Sequence, residues 1–574
     1  MNKTLDLVIR GGAVADGLGG PLIEADVAVN NGVIVQVGKV TAQGREEIDA
    51  RHQVVAPGFV DIHTHYDGQA VWDQRFSPSS WHGVTTAVMG NCGVGFAPVR
   101  PQDRDRLIDL MEGVEDIPGV ALQEGLDWAW ESFGDYLDAL ERKPHDIDFC
   151  AQLPHAALRV YVMGERASRL EMATAEDRAR MRELTAEAMR AGAIGFSTSR
   201  SINHKSIKGT PTPTLKASEE ELMAIAMGVK DAGRGVLQMI TDFDGEDVDS
   251  EFQLMRRLTE ASGRPLSFSL MQKHKNPRGW QRILELTRQA NVDGLSMLAQ
   301  VAPRGVGIML GLQGSRNVFS ECPSYQAIAD LPFEERVERL RQPAMRSALL
   351  SELAASAATP LGQRLVEFTN IFRFGNPPEY DPGPEHSLEA TAAREGRTPG
   401  EVAYDLMMAD DGHGTLYSPF ANYAERNLNA CGDMIAHPDT VIGLGDGGAH
   451  VGLVCDSSFQ TFMLSHWGGP NGRFELPWLI KRQTSDTARA VGLKDRGVVA
   501  PGMKADLNVI NPDQLGMEVP HMQFDLPAGG RRLMQRANGY TATIVSGTPV
   551  YRQGVATEAL PGRLVRGPQA APAI

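Results

Sequence analysis

Glu176 to Ser197 reads EDRARMRELTAEAMRAGAIGFS, and the pattern changes once within it. Up to Ala191 the apolar residues recur at helical spacing; Gly192 then ends the run, and Ala193-Ile194-Gly195-Phe196-Ser197 reads as a short strand. The same order returns at Glu219 to Ala232 followed by Gly235-Val236-Leu237-Gln238-Met239, and at Phe252 to Ser262 followed by Pro265-Leu266-Ser267-Phe268-Ser269. Val84-Thr85-Thr86-Ala87-Val88-Met89 is a further short β-branched run. Repeated strand and helix units imply a parallel sheet, and this many in one region predict an α/β fold of the (β/α)8 TIM-like type. No GxGxxG follows the first strand, which argues against a doubly wound dinucleotide-binding sheet.

Outside this region the texture is β. Asp26-Val27-Ala28-Val29 reaches Asn30-Asn31-Gly32 before Val33-Ile34-Val35-Gln36-Val37, and a turn of this type between two alternating apolar runs is a hairpin signal. Ala505 to Ile510 and Thr543 to Gly547 repeat the texture near the other end. The two ends are therefore expected to build one small β-sandwich, with residues 1–56 and 491–560 flanking a barrel over 57–490. An insertion or lid is expected at about 325–400, where Asn376-Pro377-Pro378 and Tyr380-Asp381-Pro382-Gly383-Pro384 break the pattern, and a poorly ordered tail over 561–574.

The chain has 574 residues, 72 of them acidic and 56 basic, so its net charge is −16. With 42% hydrophobic and 22% charged residues it buries a large core, and an acidic surface offers no groove for nucleic acid. No run of about 18 apolar residues suggests a membrane span, and the first residues show no signal-peptide core. The five cysteines form no CxxC pair, so a reducing, cytoplasmic setting is expected.

Three motifs carry chemistry. In Val54 to Asp67, VVAPGFVDIHTHYD, alternate residues of an extended strand share a face, so His63 and His65 point the same way and form half of a zinc site. In Met89-Gly90-Asn91-Cys92-Gly93-Val94-Gly95, Cys92 stands among glycines that admit close backbone approach; it is a metal-stabilised thiolate or a buried structural thiol. In Val441 to His450, VIGLGDGGAH, Asp446 ends an apolar strand inside a glycine turn, as a metal ligand, a general base or a turn aspartate.

Together PGFVDIHTHYD, GNCG, GDGGAH and a terminal PGMKADLNVI resemble the amidohydrolase superfamily, and within it the N-acyl-D-amino-acid deacylase branch, over nearly the whole chain. The resemblance implies a zinc-holding barrel, a β-sandwich from both termini, and hydrolysis of a linear amide by metal-activated water. It assigns His63 and His65 to the first-strand ligands, Cys92 to the cysteine that replaces a bridging carboxylated lysine, and Asp446 to the last-strand aspartate that binds metal and shuttles protons. The family's two mid-barrel histidines are missing: the corresponding stretches are Val236 to Phe243 and Phe268 to His274, with Met239 and Met271 better suited to packing, although His274 is a candidate substitute. One zinc per chain is therefore expected, at His63, His65 and Asp446, with Cys92 completing the site or left as a thiol.

For the substrate, Lys273 aligns with a lysine that the family places near the metal. Arg200 is a candidate anion contact or a solvated surface residue, His155 lines the site or caps a strand, and His450 contacts substrate or fixes its loop. Met111 to Pro118 reads as an acidic loop supporting the site. The expected partner is a small-molecule amide, and a homo-oligomer is compatible with the fold. The alternatives are a cyclic-amide hydrolase of the hydantoinase or dihydroorotase type and a degenerate barrel that binds a ligand without turnover.

Overall fold

The computed structural model describes residues 4–243, 248–469 and 472–572. Its centre is an eight-stranded parallel sheet: β1 (Phe59–Asp61), β2 (Val84–Met89), β3 (Asp148–Pro154), β4 (Gly195–Arg200), β5 (Val236–Thr241), β6 (Leu266–Ser269), β7 (Met297–Val301) and β8 (Thr440–Ile442). Each strand pairs with its successor in this order. The sheet closes just beyond the ends of β1 and β8, where Thr64 bridges Gly447, His65 N donates to Gly447 O at 2.8 Å and Asp446 N donates to His63 O at 2.9 Å. The helices expected from apolar spacing are present. The helix Ala175–Ala191 starts at a capping box of Thr174 and Asp177, and Glu219–Asp231 and Val248–Ser262 follow.

Both ends of the chain contribute to one nine-stranded sheet. Val54–Pro57, leading into the barrel, pairs antiparallel with Leu507–Ile510, leading out of it. The Ile23–Asn30 and Val33–Gly38 hairpin turns at Asn31 and Gly32, whose φ angles of 51° and 73° are those the Asn-Gly pair accommodates. Leu7, Ile9, Val27, Ile34, Leu507 and Ile544 form the core of this layer. A buried charge cluster fastens it to the barrel: Asp148 at the start of β3 accepts Arg496 at 2.8 Å and Lys504 at 3.1 Å, and Lys504 also meets Asp506 at 2.5 Å.

Between β7 and β8 the chain builds a unit larger than the stretch expected at 325–400. Val306–Gly311 and Thr415–Ala421 pair antiparallel, Phe372–Arg373 adds a third strand, and helices including Pro343–Ser356 and Pro399–Gly412 pack over them around Leu310, Phe319, Leu353 and Leu416. The tail corrects its expectation. Val565 N donates to Phe149 O at 2.8 Å and Gly567 N to Gly192 O at 2.8 Å, and Leu564 and Val565 are buried under the barrel because β3 and the end of the helix Ala175–Ala191 leave backbone acceptors at its base.

Burial alone would raise the Asp148 carboxyl, but Lys504 and Arg496 outweigh it and hold the group below its ordinary value. Replacing Asp148 by Asn leaves two buried cations to share fewer anions and is expected to cost about 3 kcal/mol at pH 7, read by thermal unfolding. Because pairing lowers the folded-state value, the wild-type advantage is complete above the unfolded value of about 4 and disappears as pH falls below it. A gap in melting temperature that stays constant through acid pH would assign the stability elsewhere.

Candidate metal centre

The Cα–Cβ alternation beyond β1 sends His63 and His65 to one side, and both are 1% exposed. His63 Nδ1 lies 2.7 Å from Gln300 Oε1, so the amide accepts the Nδ1 proton and leaves Nε2 with its lone pair outward. That Nε2 is 3.3 Å from Cys92 Sγ and 3.5 Å from Asp446 Oδ1, while His65 Nε2 is 3.7 Å from the same Oδ1. A tetrahedral zinc with bonds of about 2.0–2.3 Å sets its ligand atoms roughly 3.3–3.8 Å apart, so these separations fit one ion. Among the described residues, His63, His65 and Cys92 are the one group of three such side chains whose ligand atoms all lie within 4.8 Å of one another.

Glycine makes this geometry possible at two points. A Cβ on Gly445 would meet Asp61 Oδ2 at 2.2 Å, and one on Gly90, where φ is 79°, would meet Gln152 O at 2.4 Å. Three non-glycine residues beside these turns, Cys92, Leu444 and Asp446, also hold left-handed φ angles of 55°, 62° and 46°. Such conformations persist where surrounding contacts over-determine them, and here they aim a thiol and a carboxylate at the histidine pair. Asn91 ties the motifs together, donating to Thr64 O at 3.1 Å and Val88 O at 2.8 Å.

The electrostatics ask for a cation. Burial lowers His63 to about 4 and His65 well below its usual value, which keeps both rings neutral and able to ligate. Burial raises Asp446 to about 7, and raises Cys92 and Glu115 well above their ordinary values, each of these two pushed further by neighbouring carboxylates. The ion-pair partners of Glu115 and Asp446 among the described residues are histidines only, with no lysine or arginine within reach. A divalent ion would stabilise the thiolate and Asp446 at once.

Glu115 is the supporting group whose role the sequence left open. It ends the helix Arg104–Glu115, so the stretch expected as a loop is helical up to this residue. Its Oε1 is 3.3 Å from His65 Nδ1 and its Oε2 is 3.5 Å from His450 Nε2. Gln300 and Glu115 thus face the inner nitrogens of the two histidines, the positions from which ring orientation is set. His450 thus turns toward Glu115.

His204, which sequence reasoning did not single out, also lies here. Its Nδ1 is 2.9 Å from Ser199 Oγ, and burial lowers it to about 3 with smaller contributions from His450, His63 and Lys273. It sits in an aperiodic loop after β4, where a lone histidine carries no signal. Lys273 is half-buried in the loop after β6, stitched to the insertion through its bridge to Ala421. No carboxylate stands within 4 Å of its ammonium among the described residues, and its charge acts on His204.

Two expected substrate contacts are committed elsewhere. Arg200 is paired with Glu251, Nε to Oε2 at 3.0 Å and Nη2 to Oε1 at 2.8 Å, and donates Nη1 to Ala217 O at 2.6 Å. His155 is fully buried between Thr198 Oγ1 at 2.8 Å and Glu221 Oε1 at 2.9 Å, a carboxylate that also takes Arg159 at 2.7 Å. The carboxylate partners come from the helices Val248–Ser262 and Glu219–Asp231, and they leave neither group free. His274 does not replace a missing ligand either: the charges acting on it are Glu367 and Arg364 of the insertion, and it is outside the ligand cluster. Met239 is buried in the main core and Met271 packs beside Leu444 and Phe459.

The amidohydrolase family profile matches residues 46–551. The chain belongs to the amidohydrolase family. Within it, the expected N-acyl-D-amino-acid deacylase branch is supported by similarity to D-aminoacylase of Alcaligenes xylosoxydans xylosoxydans, 26% identical over 567 residues and covering 98% of both chains. N-acyl-D-aspartate deacylase of the same organism is 37% identical over 194 residues, 34% of this chain and 36% of that one. A crystal structure of D-aminoacylase described as defining a novel subset of amidohydrolases superposes with a TM-score of 0.65 at 25% identity, covering 98% of this amidohydrolase chain and all of that one.

If Gln300 and Glu115 orient the histidines, Gln300→Leu and Glu115→Gln are each expected to weaken zinc binding by about 10- to 100-fold. Competition with a chelator at fixed pH measures this without reference to turnover. Unchanged affinity in both variants would leave the histidines held by backbone alone.

Proposed function

We propose that this chain is a zinc-dependent hydrolase of a linear amide, with N-acyl-D-amino acids as the prototype substrate and one zinc per chain at His63, His65, Cys92 and Asp446. The observation that carries the reading is the gathering of His63, His65 and Cys92 within 4.8 Å of one another, with Asp446 Oδ1 at 3.5 and 3.7 Å from the two histidines, on the carboxyl end of a parallel barrel. Neutral imidazoles, a thiolate and a carboxylate are a borderline-soft set suited to zinc. When bound, the ion supplies Lewis-acid polarisation of the scissile carbonyl and makes water acidic enough to attack near neutral pH.

The chain's own residues do the rest. Asp446, whose side chain keeps 17% exposure toward the cleft, takes the proton of the attacking water and returns it to the leaving nitrogen. His63 is held through Gln300, Glu115 stands 3.3 Å from His65 Nδ1, and both rings stay neutral because they are buried. Lys273 receives the substrate's carboxylate, and His204 and His450 line the approach. The missing mid-barrel histidines, with Met239 and Met271 packed in their place, favour a single ion. Five free, buried cysteines suit a reducing compartment, and we place the protein in the cytoplasm acting on a small molecule. No helix among the described residues is long and apolar enough to cross a membrane.

Asp446→Asn is expected to lower kcat by about 100- to 10,000-fold, measured on paired N-acyl-D and N-acyl-L amino acids. Undiminished turnover would remove Asp446 from the proton path, and turnover of ring amides alone would overturn the substrate class. Metal analysis of the purified protein is expected to give one zinc per chain; two would overturn the single-ion reading. Lys273→Ala is expected to cut kcat/KM by about 10- to 150-fold, mainly through KM, as loss of a hydrogen bond to a charged group does.

A further inference from the structure

The base of the barrel, opposite the metal centre, is filled unevenly, although Val441 of β8 belongs to the packed cluster. Under β1 to β4, Val565 of the tail and Leu493 pack against Val60, Val88 and Cys150. Under β5 to β8 there remains a cavity of about 510 Å³, walled by the strand starts Val236, Leu266, Leu298 and Val441 and by Trp478 and Arg482. That volume lies in the range of small-molecule sites, whereas the amino-terminal face of a barrel of this type is ordinarily packed for stability.

Its polar groups have one sign in excess. Lys481, Arg482 and Arg489 line it against a single carboxylate, Asp486, which takes Lys481 at 2.6 Å and Arg482 at 3.0 Å. The Arg489 guanidinium is exposed and has no ion-pair or hydrogen-bond partner among the described residues. Arg482 is only 6% exposed; its Nη2 donates to Thr440 O and Oγ1 at 2.8 Å and its Nη1 to Asp486, while its Nε has no hydrogen-bond partner. Burial and Asp439 act on the wall residue His437 in opposite directions; burial prevails, its value is lowered, and the ring adds no charge at neutral pH. A buried guanidinium with an unused donor and a second, free guanidinium at the rim fit a carboxylate. The body of the ligand meets Trp478 and aliphatic side chains, so it is apolar and flat or branched. On the wall, Ser267 Oγ accepts from Gln300 Nε2 at 2.9 Å, and Gln300 Oε1 holds His63, which puts the cavity one side chain below the metal ligand.

We infer that the basal cavity under β5 to β8 is a second binding site, for a small monocarboxylate with an aromatic or branched apolar body, read by Arg482, Arg489 and Trp478. It is independent of the proposed hydrolysis, because none of these residues belongs to the metal centre.

The test uses the full-length, zinc-loaded protein and 4-bromophenylacetate as the probe. In a soaked crystal, anomalous bromine density is expected in the cavity beside Trp478 and Leu298. By calorimetry, Arg489→Ala is expected to weaken binding at this site at least tenfold, with folding and hydrolysis unchanged because the side chain is exposed and unpaired. The neutral analogue 4-bromobenzyl alcohol is expected to bind at least tenfold more weakly than the acid. Bromine density confined to the metal centre or to lattice contacts overturns the inference, as does equal affinity of acid and alcohol. A chain with no hydrolytic activity that still shows bromine in the cavity keeps this site and loses only the proposed function.

Discussion

The structure turns on two backbone hydrogen bonds, from His65 N to Gly447 O and from Asp446 N to His63 O. They extend the pairing beyond the short strands Phe59–Asp61 and Thr440–Ile442 and so close the barrel at the seam between its first and last strands. The same bonds set the Asp446 carboxylate against the His63 and His65 rings. Closure of the fold and assembly of the donors are therefore one event. The glycines around Asp446 serve it directly, since a side chain at Gly445 would occupy the space of Asp61 Oδ2. A carboxylate placed by main-chain pairing needs no long side chain to find its target, and an aspartate suffices.

Such an arrangement is electrostatically expensive without its ion. Glu115, Asp446 and the Cys92 thiol share a buried space, and burial drives all three toward their protonated forms. Two neutral histidines supply lone pairs and no charge. The protein gains by binding a divalent cation what it loses by desolvating its ligands, and the coupling of metal to folding follows from this balance. Gln300 and Glu115 complete it from behind by facing the inner ring nitrogens.

Much of this was legible in the sequence because it is carried by local periodicity. HTH on an extended segment, the glycine-flanked Cys92 and the glycine turn at Asp446 each announce a geometry within a few residues, and the helix and strand alternation from Glu176 to Ser269 announces the barrel. What escaped depends on partners remote in the chain. Arg200 and His155 read as free groups, and it takes the fold to bring Glu251 and Glu221 onto them. Glu115 was hidden by the glycine and proline around it, although the helix persists to that residue. His204 sits in a loop whose path is fixed by contacts such as Ser199 Oγ, not by a pattern. The tail looked disordered by composition, but strand β3 and the helix cap at Gly192 present it with backbone partners.

The division of labour between supports explains which parts of the site are rigid. Of the proposed metal donors, His63, His65 and Asp446 stand at the seam and are backed by main-chain pairing, while Cys92 stands on the turn after β2, where its N donates to Gln238 Oε1 at 3.2 Å. The groups proposed to meet the rest of a substrate stand on connecting segments: His204 on the loop after β4, and Lys273 on the loop after β6. That second loop is held by the insertion, since Gln272 N donates to Asn422 Oδ1 at 2.7 Å, Asn422 N returns a bond to Gln272 O at 2.9 Å, and Lys273 bridges Ala421. A change in the insertion can move Lys273 without moving His63, His65 or Asp446. On the proposed function, chemistry and selectivity are thereby separable: the barrel carries the first, and the insertion, larger than its sequence suggested, bears on the second through Lys273.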